Sequence, residues 1–321
     1  MQDVSDRITE GLAGLSQTDW RARLSVLAED GGAYHDLGKR HFATYIARPR
    51  KDVLIVTFET VQGIRSLSPN AMPFGADMVL AQGWSHLCVI SDGDTWFRAP
   101  EVYALFDDLI DDGFFEEFDH VLFYGAGPCG YAASAFSVSA PGATVVAIQP
   151  QATLDPRMTE WDPRFTEMRR LNFTDRFGYA PDMMDAAQRG FVIYDPHQEL
   201  DAMHAALFAR PNVTRLRMPF MGSALQTQLI DMDILYPLLS LAGQGNLTEA
   251  AFFEHFRARR NNPAYLRALM MRLDADDRPY LNWLLCRNVT RRMHAPKFRR
   301  RLDLLEQAAE AGEFKPPIPI F

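Results

Sequence analysis

Two kinds of apolar pattern alternate along the chain. The first is the continuous run: "DVLIVTFE" (52–59), "WSHLCVIS" (84–91), "HVLFYG" (120–125), "ATVVAIQP" (143–150) and "GFVIYDP" (190–196). None alternates apolar with polar residues, so each predicts a strand buried on both faces. "NVTRLRMPF", from Asn212, predicts a further strand, and "HFATYIA", from His41, an edge strand. The second pattern has helical spacing. It covers 17–29, where Trp20, Leu24 and Leu27 share a face, then 100–114, Pro128 to Val138, 199–210 and 223–242. Strands alternating with helices predict an α/β fold: a doubly wound, mostly parallel sheet with sites on the loops at the carboxyl ends of its strands.

Two stretches depart from this alternation. Residues 151–189 are rich in Arg, Met and aromatics and contain a small echo, "DPRMTE" and "DPRFTE". This segment is expected to be a lid over the strand ends. From Asn246 the pattern is all helical. Asn246 and Glu249 have the spacing of a capping box, and Pro263 suits a first helical turn. The expected organisation is an N-terminal helix and edge strand (1–50), a core with its lid (51–245) and a C-terminal helical appendage (246–321). The final "FKPPIPIF" has too much proline for a helix.

Composition narrows the function classes. With 321 residues, 47% of them apolar, the chain can bury a large core, yet no apolar run nears the roughly 20 residues that span a bilayer. The acidic start, "MQDVSDRITEGLAGL", lacks the basic-then-apolar profile of a secretion signal. Cys88, Cys129 and Cys286 are too few and too widely spaced for a disulfide framework or a zinc motif. The expected location is the cytoplasm. Net charge is −8, but residues 246–321 hold 14 Lys+Arg against 9 Asp+Glu, so a basic tail joins an acidic body. That imbalance is too mild to argue for nucleic acid. It is concentrated in "RRMHAPKFRRR" (291–301), where a protein partner, a phosphate group or a membrane surface are the candidate contacts. No HExxH, no GxxxxGK[ST] and no ribose-binding acid near "GAGPCG" is present, so neither a metal nor a cofactor is expected.

The stretch "VLFYGAGPCGYAASAF" (121–136) carries the chemistry. Strand, G-x-Ser-x-G and helix make the nucleophile elbow of the α/β-hydrolase fold, and "GAGPCGYAASAF" resembles its bacterial G-x-Ser-Met-Gly-Gly-Tyr form. The resemblance covers about residues 50–240. It implies that Gly127 stands at the nucleophile position, without a side chain. It puts Pro128 where the next backbone N–H forms half of the oxyanion hole, and proline has none. It places the acid at Asp195 in "VIYDP". In "MPFMGSAL", Ser223 stands where the histidine belongs.

Two readings follow, from different classes. In the first, Ser-His-Asp catalysis has been lost and the fold acts as a ligand-binding or protein-interaction scaffold. A small acyl or carbohydrate-like ligand would then sit under the lid, and a protein would contact the basic appendage. In the second, Cys129 in the first turn of the elbow helix is the nucleophile of an acyl hydrolase or acyltransferase, with Asp195 and His197 as partners. His204 is expected on the surface of its helix or half-buried. Gly127, Glu59, Thr60, Asp92, Arg98 and Ser223 are the candidate ligand-binding positions, because each falls at or after the carboxyl end of a predicted strand or in the elbow.

Overall fold

The computed structural model describes residues 12–315. The chain divides into two compact units, Met1–Phe256 and Arg257–Phe321. The first opens with α1 (Gln17–Gly31), whose cap Ser16 accepts the N–H of Asp19 at 3.1 Å and whose inner face buries Trp20, Leu24 and Leu27. Then come β1 (Gly32–Asp36), β2 (His41–Ile46), β3 (Val53–Thr60), α2 (Val61–Leu67), α3 (Gly75–Gln82), β4 (Ser85–Ser91) and α4 (Pro100–Asp111). After these follow β5 (His120–Ala126), α5 (Pro128–Phe136), β6 (Thr144–Ile148), β7 (Arg189–Tyr194), α6 (Glu199–Leu207) and β8 (Val213–Arg217). Three helices complete the unit: α7 (Leu225–Asp231), α8 (Leu235–Gly243) and α9 (Glu249–His255).

One eight-stranded sheet results, in the order β1-β2-β4-β3-β5-β6-β7-β8. Strands β3 to β8 run parallel, and β2 is antiparallel to both β1 and β4. The continuous apolar runs have a direct cause. Leu54, Val56, Phe58, Phe123 and Val145 pack into one core, which includes residues of α4 and α5, while Cys88 and Ile90 pack into another with residues of α1, α2 and α3. Strands covered on both sides need apolar residues at every position.

Three local expectations are corrected. "GAYHD" forms β1, which the pattern did not announce because its middle is only half-buried, and it takes the sheet edge, so "HFATYIA", expected as the edge strand, is the interior strand β2 between β1 and β4. The helix expected over 223–242 is two helices, α7 and α8, broken at Asp233, which adopts φ +56°. The break brings Pro237 into the first turn of α8, where its missing N–H costs nothing. The cap of α9 is Thr248, which accepts the N–H of Ala251 at 3.1 Å, in place of Asn246.

Between β6 and β7 the chain makes only short helical segments, among them Pro156–Thr159 and Pro163–Arg170. The echo noted in sequence is one local device used twice. Asp155 accepts the N–H of Arg157 at 3.0 Å and Asp162 that of Arg164 at 3.0 Å, and each arginine folds back onto its own aspartate.

The second unit contains α10 (Pro263–Ala275), α11 (Pro279–Arg292) and α12 (Pro296–Glu310) around Leu266, Trp283, Val289, Phe298, Leu302 and Leu305. Pro263 stands at the start of α10, capped by Asn262. Among the described residues, no helix is long and apolar enough to cross a membrane. The first eleven residues and the Pro-rich end from Pro316 lie outside the described residues.

Candidate functional site

Strand β5 turns into α5 through Gly127, at φ +58° and ψ −125°, a conformation that L side chains rarely adopt. The turn is tight because Gly125 lies under the helix, where a Cβ would come within 2.1 Å of the Cys129 carbonyl oxygen. The N–H of Gly127 donates to the Ile148 carbonyl at 2.8 Å, tying the elbow to β6. A Cβ built at Gly127 meets nothing within 4 Å. Among the described residues, the position where a side chain would start is open. Pro128 follows at the start of the helix, without an N–H.

A sharply turned, left-handed residue between the fifth strand and its helix, on a sheet of this order, decides the architecture. The chain has the α/β-hydrolase fold. No family model matches the sequence, and no curated protein matches it either. Among solved structures it is similar to a glycosylation-associated protein complex from Streptococcus agalactiae, at 12% identity and TM-score 0.43, covering 64% of this chain and 45% of that one. The chain thus spans less than half of that structure's length. It is also similar to a carboxyl esterase from the fungus Tuber melanosporum, at 12% identity and TM-score 0.39, covering 64% and 81%. A third is a thermostable carboxylesterase cloned from a metagenomic library, at 13% identity and TM-score 0.41, covering 72% and 97%.

Gly127 opens on a cleft of about 300 Å³ whose walls include Gln149, Gln151, Arg164, Phe165, Asp201, Ser223 and Gln226. Gln149 is held in place at both ends of its amide. Its Nε2 donates to Asp201 at 2.6 Å, and its Oε1 accepts the N–H of Leu225 at 3.1 Å. Arg164 bridges Asp162 and Asp201 at 2.8 and 2.6 Å. The amide of Gln151, only 3% exposed, donates from Nε2 to the Gln149 carbonyl at 3.3 Å, and its Oε1 has no partner among the described residues. That donation sets the amide's orientation, because a flipped amide would face oxygen to oxygen. Of the predicted positions, Gly127 and Ser223 therefore share one cleft, with Ser223 exposed in its wall.

The other predicted residues are held elsewhere. Asp195 is fully buried, and its carboxylate accepts the N–H groups of His197, Phe220 and Gly222 at 2.9, 3.3 and 2.7 Å. His197 is exposed and stacks on Phe220, with centroids 4.1 Å apart. Cys129 packs in the core, burial pushes its thiol far above the usual range, and among the described residues no hydrogen bond joins it to Asp195 or His197. Thr60 caps α2 by accepting the N–H of Gly63 at 2.9 Å. Asp92 accepts from the side chains of Gln17 and Gln62 at 3.0 and 2.8 Å. Arg98 is buried and clamps the insertion, donating to the carbonyls of Asn172 and Arg176 at 2.9 and 3.0 Å and pairing with Asp175.

Glu59, next to last in β3, has its carboxylate turned inward, accepting from the Phe74 N–H at 2.9 Å, the Thr57 hydroxyl at 2.7 Å and the Cys88 thiol at 3.4 Å. Burial raises its pKa against those hydrogen bonds. Glu59, His86 and Cys88 together have the donor types of a metal site. The Thr57 hydroxyl, however, already links two of them, lying 2.8 Å from His86 Nε2 while it donates to Glu59. The arrangement is a buried hydrogen-bonded chain.

Sequence reasoning missed Gln149, Gln151 and Asp162, and it expected His204 at least half-exposed. His204 is fully buried. The one signal pointing toward this group was the repeated Asp-Pro-Arg, whose second copy supplies Asp162 and Arg164.

Proposed function

We propose that this protein binds a small polar ligand in the cleft at Gly127 and does not perform Ser-His-Asp hydrolysis. The observation that carries this reading is Gly127 itself, which keeps the elbow conformation and leaves the nucleophile's space open to the cleft. Pro128 without an N–H, Ser223 in the cleft wall and Asp195 engaged by three backbone amides support it. The walls favour a carbohydrate-like ligand over an acyl chain. Gln149, Gln151, Gln226, Ser223 and the Arg164–Asp201 pair offer hydroxyl-binding groups, with the Phe165 ring beside them. An acyl chain would leave the Gln151 Oε1 and the Ser223 hydroxyl desolvated without a partner. The insertion would serve as the lid over this ligand. Three free buried thiols fit a reducing, cytoplasmic setting.

The test has two arms. Short-chain p-nitrophenyl esters and thioesters should show no turnover above a heat-denatured control. A panel of mono- and oligosaccharides, screened by thermal shift and confirmed by calorimetry, should yield a binder whose affinity falls at least tenfold in Gln151→Leu. Robust turnover abolished by Cys129→Ala would replace this reading with the thiol-dependent acyl hydrolase or acyltransferase.

A further inference from the structure

The second unit carries a feature that the cleft does not use. The end of α11 and the start of α12 enclose a groove of about 680 Å³ whose walls include Arg291, Arg292, His294, Arg299 and Arg300. From Arg278 to Leu302 the chain contains eight Lys and Arg and no Asp or Glu.

The ordinary explanation of such a cluster is ion pairing at a solvated helix face, and it accounts for part of the charge. Arg301 pairs with Asp274 at 2.5 Å and Arg299 with Asp303 at 3.1 Å. Among the described residues Arg292 donates to neutral acceptors: the side chains of Asn288 and Asn261 at 2.9 and 2.6 Å, and the Arg260 carbonyl at 2.9 Å. These bonds orient its guanidinium and leave its charge uncompensated. Arg291 and Arg300 are exposed and make no ion pair among the described residues. Packing does not require them, because Trp283, Val289, Phe298, Leu302 and Leu305 hold the helices together on another face. Like charges gathered in a concave surface repel one another, and a bound anion relieves that repulsion.

We propose that this groove binds a phosphate group. Three uncompensated guanidinium groups call for more than one negative charge, and their planar forks match phosphate oxygens bidentately. The first turn of α12 opens there without a side-chain cap, so its free N–H groups add to the same field. A neutral ligand would leave the charge where it stands, and a single carboxylate would satisfy only one arginine.

The full chain is titrated with inorganic pyrophosphate by calorimetry, with sulfate at matched ionic strength as the control. Pyrophosphate should bind more tightly than sulfate and more weakly as salt rises. Arg291→Gln/Arg300→Gln should lose at least tenfold in affinity with an unchanged melting temperature, since both residues are exposed. Vesicles of phosphatidylcholine with and without phosphatidic acid separate the sources. Capture by phosphatidic acid that pyrophosphate competes away assigns a lipid headgroup, and pyrophosphate binding without capture assigns a free phosphate compound. Absence of both pyrophosphate binding and capture overturns the proposal. So does binding that the double variant retains, or that sulfate matches. None of these readouts involves the cleft, so failure here leaves the ligand reading of Gly127 untouched.

Discussion

His204 Nε2 stands 2.9 Å from Asp162 Oδ2 with both side chains buried, and this contact bolts the insertion to α6. His204 Nδ1 accepts the N–H of Ala152 at 3.1 Å, so the proton is on Nε2 and is donated to Asp162. Both ring nitrogens are engaged, and none is left to take a proton from a nucleophile. A histidine–carboxylate pair lies beside the cleft, and its role is to brace.

That brace predicts a pH and mutational signature. Burial opposes the charge on Asp162, but hydrogen bonds from His204 and Arg164 outweigh it and hold the carboxyl well below the usual range. A carboxyl depressed in the folded state stabilises above its unfolded pKa of about 3.9, and the gain is lost as pH falls through the folded value. Asp162→Asn should cost about 3 kcal/mol at pH 7, the lower end for breaking a buried pair. The gap to wild type should begin to narrow as pH falls below about 3.9, and be smaller at pH 3 than at pH 7. Urea melts at pH 7 and pH 3 measure both.

Gly127→Ala should destabilise by about 1–3 kcal/mol, through backbone strain alone, since the added Cβ has open space. Gly127→Ser should cost the same and gain no esterase activity, because Pro128 and Ser223 remain. Equilibrium unfolding and p-nitrophenyl acetate assays check the pair. A Gly127→Ala variant as stable as wild type would contradict the left-handed geometry.

Burial lowers the pKa of His86 to about 3, and burial together with the Arg40 charge lowers that of His41 to about 4. Each imidazole titrates near 6.5 when unfolded. As pH falls from 6.5 the unfolded chain takes up these protons and the folded chain does not, so stability drops with them. Replacing His41 by Gln should flatten the stability curve between pH 6.5 and 4, read from denaturant midpoints at several pH values. A slope equal to wild type would exclude a buried neutral His41.

Cys88, Cys129 and Cys286 are free and buried. In the native protein all three should react slowly with a thiol reagent such as DTNB, at a rate set by opening of the structure, and completely in denaturant. Stoichiometric native labelling that Cys129→Ala removes would identify an accessible nucleophile.

The sequence by itself determined the parallel strands and the elbow. Runs such as "DVLIVTFE" need burial on both faces wherever they sit, Gly127 permits the positive φ of the elbow, and Pro128 fixes its own φ at the start of the helix. The half-buried β1 and the break at Asp233 escaped, because pairing to β2 and placement of Pro237 outweigh local pattern. Most of the site was illegible for a related reason. Arg98 meets carbonyls 74 and 78 residues away, Gln149 meets Asp201 52 residues on, and Asp162 meets His204 42 residues on. Apolar periodicity is read along the chain, whereas a buried polar group takes whichever partner the completed fold brings within about 3 Å, and only the tertiary structure decides that.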